Sequence, residues 1–428
     1  MLDFISAQFE KTKDIKKSSY VWNAVNAMLS AAQCPLILMV LNRTNGIEDA
    51  GIFSIAFAVA SLMLYIGLYG LRRFQASDIN EKFSFQEYNG VRFLTCAAMV
   101  LASLGYCCYG MMFNDYSTNK AIIVFLVCLL KLVQAYTDVI HGNMQQKGRL
   151  DVATKCSALR YVLEVLSIAV CLVITKDLLM SLIVSVIVSF VVTFFTSINC
   201  GRKYCETFAP SFRKDAVTKL MIDGFPLFLS LFLNMYISNA PKYAIDAYLT
   251  EEIQGIYNLI FMPAFMVMLL SNFIFNPIIK SYAELWLSGS KEKLKELKHK
   301  MVMQMFFVGG LTVLGLAIAA TIGIPVLSLV FHAELAPYKP ELCIVMIGGG
   351  ALGFATYFST VITIIREQNS MIFCYGIAAA AAYMLSGVLV KSQGIRGAAI
   401  MYAVIMSILA VLLGIITFLK LRKTMKDC

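Results

Sequence analysis

Apolar runs of about twenty residues follow one another along the whole 428-residue chain, separated by short polar or basic segments. A helix needs about 20 mainly apolar residues to cross about 30 Å of hydrocarbon, whereas membrane strands show alternating segments half that length. The pattern predicts helical spans near 20–41, 50–70, 91–113, 120–141, 156–175, 178–199, 220–242, 254–279, 301–323, 341–365, 370–390 and 396–419. An all-α polytopic membrane protein with twelve transmembrane helices is expected.

The polar segments give the orientation, because Lys and Arg near span ends stay in the cytoplasm. With the N-terminus inside, 28 of the 36 basic residues fall on the cytoplasmic side and 7 outside, with Lys131 left within the membrane. Both termini are therefore expected in the cytoplasm. The head "MLDFISAQFEKTKDIKKSS" alternates apolar and charged residues and reads as an amphipathic cytoplasmic lead-in rather than a cleaved signal.

A basic loop at 201–219 divides the spans six and six, which predicts an N-terminal bundle over 1–200, a linker over 201–219 and a C-terminal bundle over 220–428. The halves echo each other. "EDAGIFSI" follows the first span and "EIQGIYNL" the seventh, and the preceding helices carry Pro35 and Pro241. Six spans per half keep the orientation, so the repeat is parallel and a substrate path is expected in a central cavity between the bundles.

Some polar residues interrupt the apolar pattern itself. In "KLVQAYTDVIHG" (131–142), Lys131, Gln134, Asp138 and His141 step by three, four and three and so share one helical face. Lys131 lies eleven residues from Lys120 and ten from His141, roughly 15 Å from either surface, where an unpaired charge costs at least about 2.5–3.5 kcal/mol. Arg160 and Glu164 on the next span reach a similar depth. A Lys131–Glu164 pair is expected, either as a structural tie between two helices or as part of a functional site. Asn23, Asn26, Ser30 and Gln33 repeat the spacing on the first helix, and Ser230, Asn234 and Ser238 mark the seventh. Such stripes act as interhelical glue or line a hydrated cavity, and the second reading is preferred for stripes on three helices. Arg72 and Arg73 close the second span, either as topogenic charges or with one turned toward an anionic headgroup.

Composition agrees: 59% hydrophobic, 14% charged, mean hydropathy +0.74. The net charge of +10 is accounted for by topology and calls for membrane lipids rather than nucleic acid as partners. The twelve cysteines show no metal-binding spacing, the three histidines do not cluster, and neither a metal nor a catalytic site is expected. "GGGALG" (348–353) lies inside an apolar span without a preceding strand, so it reads as a close-packing stripe rather than a nucleotide loop.

Three stretches carry a family likeness: "GNMQQKGRLDVATKCSALRYVLE" (142–164), "APKYAIDAYLTEEIQGIYNLIFMPAFMVMLLSNFIFNPIIK" (240–280), and "LRRFQASD" with "FSFQEYNGVR" (71–92). They resemble the Wzx-like polysaccharide flippases of the multidrug/oligosaccharidyl-lipid/polysaccharide exporter superfamily. That resemblance implies two six-helix bundles in a V, and transfer of undecaprenyl-pyrophosphate-linked oligosaccharides from the inner to the outer leaflet of a bacterial plasma membrane. It implies a transporter rather than an enzyme, with polysaccharide-assembly proteins as candidate partners. A pyrophosphate could be neutralised by Lys131, Arg160 or Arg72, with Asn23, Asn26, Gln33, Gln134, Asn234 and Ser238 completing the cavity. Alternating access is expected without a bound cofactor; if a proton or sodium gradient drives it, Asp138 and Glu164 are the candidate coupling residues. The alternative is a drug/cation antiporter of the same superfamily.

Overall fold

The computed structural model describes residues 2–78, 82–205, 207–288, 290–365 and 367–427. Among these the chain is helical, without strands, and ten helices are long and apolar enough to cross a membrane. The long helices are α1 (Ile15–Thr44), α2 (Ile47–Leu68), α3 (Phe85–Phe113), α4 (Thr118–Gln146), α5 (Leu150–Thr175) and α6 (Leu178–Gly201). They continue with α7 (Lys214–Tyr248), α8 (Glu251–Leu287), α9 (Lys291–Phe331), α10 (Lys339–Ile364), α11 (368–390) and α12 (Lys391–Asp427). Residues 370–426 meet the length and hydropathy criterion as one stretch, but Gly394 breaks it at φ 59° and ψ −136°, a conformation open only to glycine. With that break and α8, the long helices match the twelve expected spans. Most extend several residues past the apolar run, because polar caps such as Ser84 and Ser117 set their ends: each side chain accepts the N–H of the third helical residue.

The chain forms two compact units, 1–232 and 233–428. The basic loop at 201–219 is the boundary expected from composition; the units instead divide within α7. The reason is local packing. The first turns of α7 lie on the end of α2, where Phe228 stacks on Tyr69 at 4.7 Å and Tyr69 donates to the Met221 carbonyl at 3.2 Å. The loop itself is tied to α3. Asn89 donates to the Phe208 carbonyl at 2.6 Å, Ser211 N–H to that of Gln86 at 2.8 Å, and Arg213 pairs with Glu87 at 2.7 Å.

In the first unit α1 packs on α5, α2 lies against α3 and α4, and α6 covers α4 and α5. The lead-in forms a helix, Leu2–Glu10, held at the basic end of this unit. Glu10 meets Lys203 at 2.9 Å and accepts from the Tyr204 hydroxyl at 3.2 Å, while Arg149 and Lys155 donate to the carbonyls of Glu10 and Phe9 at 2.9 Å. Burial pushes the Tyr204 phenol up to about 12.

In the second unit α10 is central, with α8, α9 and α12 around it. Its run Gly348-Gly349-Gly350 permits this: a methyl group at these positions would run into Tyr402 of α12, Ala264 of α8 and Thr312 of α9 respectively. The glycines serve three close helix approaches, in keeping with the packing role of small residues in lipid.

Candidate functional site

The polar stripe of α4 meets three different sets of partners at three depths. Deepest is Lys131, whose ammonium donates to Gln33 Oε1 of α1 at 3.2 Å and to Gln134 Oε1 at 3.4 Å, with the Phe57 ring 4.4 Å away. Gln33 in turn donates through Nε2 to Glu164 Oε2 at 2.8 Å. The expected Lys131–Glu164 pair is therefore joined through an amide rather than made directly: α1 packs closely on α5, which places Gln33 between the two charges.

Glu164 is held on every side. Arg160, one turn earlier on α5, donates to its Oε1 at 2.8 Å, and the Ser189 hydroxyl of α6 donates to the same oxygen at 2.5 Å. Ser185 donates to the Glu164 carbonyl at 3.3 Å. Lys131, Gln33, Arg160 and Glu164 are each buried, from 2% to 7% exposed. A cavity of about 20 Å³, lined by Gln33, Lys131, Gln134 and Glu164 against Phe53 and Phe57, lies within the network; it has room for about one water.

Asp138, two turns further along α4, sits between two arginines. Arg92 Nη2 donates to its Oδ2 at 2.8 Å and Arg72 Nη1 to its Oδ1 at 3.3 Å. Arg92 is fully buried and also bonds the Gly67 carbonyl, where α2 ends. The Arg72 side chain is one-third exposed and also donates to Gln145 at 3.1 Å. Arg72 therefore turns inward, onto a carboxylate of the protein itself. His141 completes the stripe between Ser197 at 3.0 Å and Ser157 at 3.2 Å.

The remaining candidates lie elsewhere. Asn23 is exposed on α1 and Asn26 half-buried, with its Oδ1 buried and without a partner. Asn234 and Ser238 belong to the second unit, where the Ser238 hydroxyl bonds the Asn234 carbonyl of its own helix at 2.8 Å.

Residues 20–282, more than half of the sequence, match the family described as "Polysaccharide biosynthesis protein". The chain belongs to this family. No curated protein matches it. Solved structures share its fold. An inward-facing multidrug resistance MATE family transporter of the MOP superfamily superposes with TM-score 0.68 at 13% identity, over 96% of this chain and 98% of that one. The eukaryotic MATE transporter AtDTX14 gives 0.62 at 15% over the same shares. A mutant form of the Vibrio cholerae MATE transporter VcmN gives 0.58 at 14%, over 95% and 98%. The resemblance seen in the sequence thus holds at the level of family and of transporter fold.

Sequence reasoning missed two parts of this family member's polar interior. Arg92 passed as a topogenic charge because it opens an apolar run, although it stands seven residues inside α3. The serines of α6 were readable: Ser181, Ser185 and Ser189 recur every fourth residue in "SLIVSVIVS", on one face. All three are fully buried, and two of them bond Glu164.

Taken together, three arginines pair with two carboxylates inside the first unit, and Lys131 reaches Glu164 through the Gln33 amide. Each carboxylate already has a guanidinium partner. Lys131 is held instead by amide oxygens and a ring face.

Proposed function

We propose that this polysaccharide biosynthesis family member is a flippase that carries a lipid-linked oligosaccharide across the bacterial plasma membrane, both of its termini being cytoplasmic. The cargo is an oligosaccharide on a polyprenyl pyrophosphate. The observation that carries this reading is the cationic excess buried in the first unit, with Lys131 hydrogen-bonded to two neutral amide oxygens and facing a ring. A pyrophosphate crossing a low-dielectric region needs such a counter-charge, while its polyprenyl tail remains in the lipid.

Within this scheme Lys131 is the headgroup's principal counter-ion. Gln33 and Gln134 fix its position, and Arg72 receives the headgroup first, being the one guanidinium of the Asp138 cluster that is partly open. Asn23, Asn26, Asn234 and Ser238 offer hydrogen bonds to sugar hydroxyls. Alternating access moves the cargo from the inner to the outer leaflet. Coupling to a proton or sodium gradient would act at Asp138 or Glu164. Both are engaged by arginine, so coupling requires that a guanidinium first be released.

A drug/cation antiporter is the competing reading, favoured by the fold shared with multidrug transporters. The buried charge favours an anion instead, because a cationic drug would meet Lys131 and Arg160 at the depth where repulsion is least screened. Purified protein in vesicles, given fluorescent lipid-linked sugar in one arm and a cationic dye in the other, separates the two. Movement of the lipid-linked sugar alone supports the flippase; movement of the dye alone overturns it.

A further inference from the structure

The first unit carries a second concavity, open at its surface. Phe93, Ala97 and Val100 of α3, Leu132 and Tyr136 of α4, and Phe194 of α6 wall a groove of about 700 Å³. The wall is almost wholly hydrocarbon and aromatic, and Phe93 and Phe194 are 42% and 47% exposed. Phe93 stands eight residues from Phe85 and Tyr136 ten from Gln146, so the groove begins roughly 12–15 Å from the basic end of the bundle. At that depth the surrounding solvent is lipid hydrocarbon. One side of the groove is shaped by a π turn, Phe194–Ile198, wider than an ordinary helical turn and lined up against α3 and α4.

Beyond that turn the chemistry changes. The Arg202 N–H bonds the Ile198 carbonyl at 3.1 Å, so Arg202 stands one turn past the last wall residue, and its side chain is exposed. Lys203 beside it is occupied by Glu10. An apolar slot at acyl-chain depth thus ends at a guanidinium at headgroup depth. We propose that this groove is a binding site for an anionic phospholipid, one acyl chain lying between α3, α4 and α6 and the headgroup phosphate resting on Arg202. Charge complementarity selects the anionic lipid: a zwitterionic one would fill the slot equally but would bring its own cation to Arg202. The site is independent of the transport reading, since it shares no residue with the Lys131 network.

Native mass spectrometry of the full chain in mild detergent, with equal phosphatidylglycerol and phosphatidylcholine, tests it. Phosphatidylglycerol is expected to be retained in excess. Ala97→Trp blocks the slot and lowers retention about tenfold, as loss of roughly two buried methylenes would. Arg202→Gln, an exposed change that leaves the fold alone, keeps a bound lipid but removes the preference between the two. Leu166→Trp, at an exposed position of α5 outside the groove, leaves retention unchanged. Equal retention of both lipids by the unsubstituted protein overturns the proposal, as does an Ala97→Trp variant that behaves like Leu166→Trp. Displacement of the retained lipid by undecaprenyl phosphate, but not by added phosphatidylglycerol, assigns the slot to a polyprenyl chain and overturns the phospholipid occupant.

Discussion

The interiors of the two units differ in kind. The first buries Lys131, Arg160 and Glu164 in mid-helix positions and Arg92 two turns inside α3, bonded across α1, α3, α4, α5 and α6. In the second, the buried ionisable side chains of Lys, Arg, Asp and Glu among the described residues are Lys242 and Glu341, both within two turns of a helix end. Its centre is built from phenols, rings and glycines. Tyr282 and Tyr357 share a hydrogen bond at 3.2 Å, Phe261 meets Tyr402 edge-on at 4.9 Å, and Gly348–Gly350 lets α10 approach three neighbours. Among its described residues the second unit packs without deep charges. Replacing buried ion pairs with apolar residues is often neutral or stabilising, so folding alone does not call for the charges of the first unit.

The contrast can be broken most severely at Glu164. Glu164→Ala leaves Arg160 without its carboxylate and removes the acceptor of Gln33 and Ser189, so thermal unfolding in detergent should show a loss of about 3–5 kcal/mol. Unchanged stability would mean that the network is wet and loosely coupled. Smaller effects are expected in the second unit. Tyr357→Phe deletes the hydroxyl shared with Tyr282 and should cost about 1 kcal/mol in the same assay. Tyr402→Phe removes a buried hydroxyl that has no partner, and should leave the unfolding temperature unchanged or raise it. A large loss from Tyr402→Phe would reveal a polar interior in the second unit and narrow the contrast.

Much of this was legible in the sequence. The apolar runs gave every long helix, because the length needed to cross hydrocarbon leaves little freedom. Helix ends were less legible, since caps such as Ser84 and Asp14 carry α3 and α1 past their apolar runs. The depth match of Lys131 with Glu164 located the network but not its wiring. Helical spacing shows which residues share a face, and it does not show which neighbour stands opposite. That is why Gln33 appeared as one more amide on a stripe instead of the link between two charges. Arg92 was hidden by position: near a helix end a topogenic arginine and a buried one look alike until Gly67 and Asp138 are seen beside it. The division within α7 was equally illegible, because it depends on Tyr69 and Phe228 meeting across 159 residues of chain.

Lys131 offers the most direct test, because it contributes charge without being the group that neutralises Glu164. Lys131→Met keeps the bulk of the side chain and leaves the Arg160–Glu164 pair intact. In vesicles bearing lipid-linked oligosaccharide, this variant should keep its fold and unfolding temperature within about 1 kcal/mol of the unsubstituted protein while losing transport about tenfold or more. A stable Lys131→Met protein that moves the lipid-linked sugar at the unsubstituted rate would contradict the account.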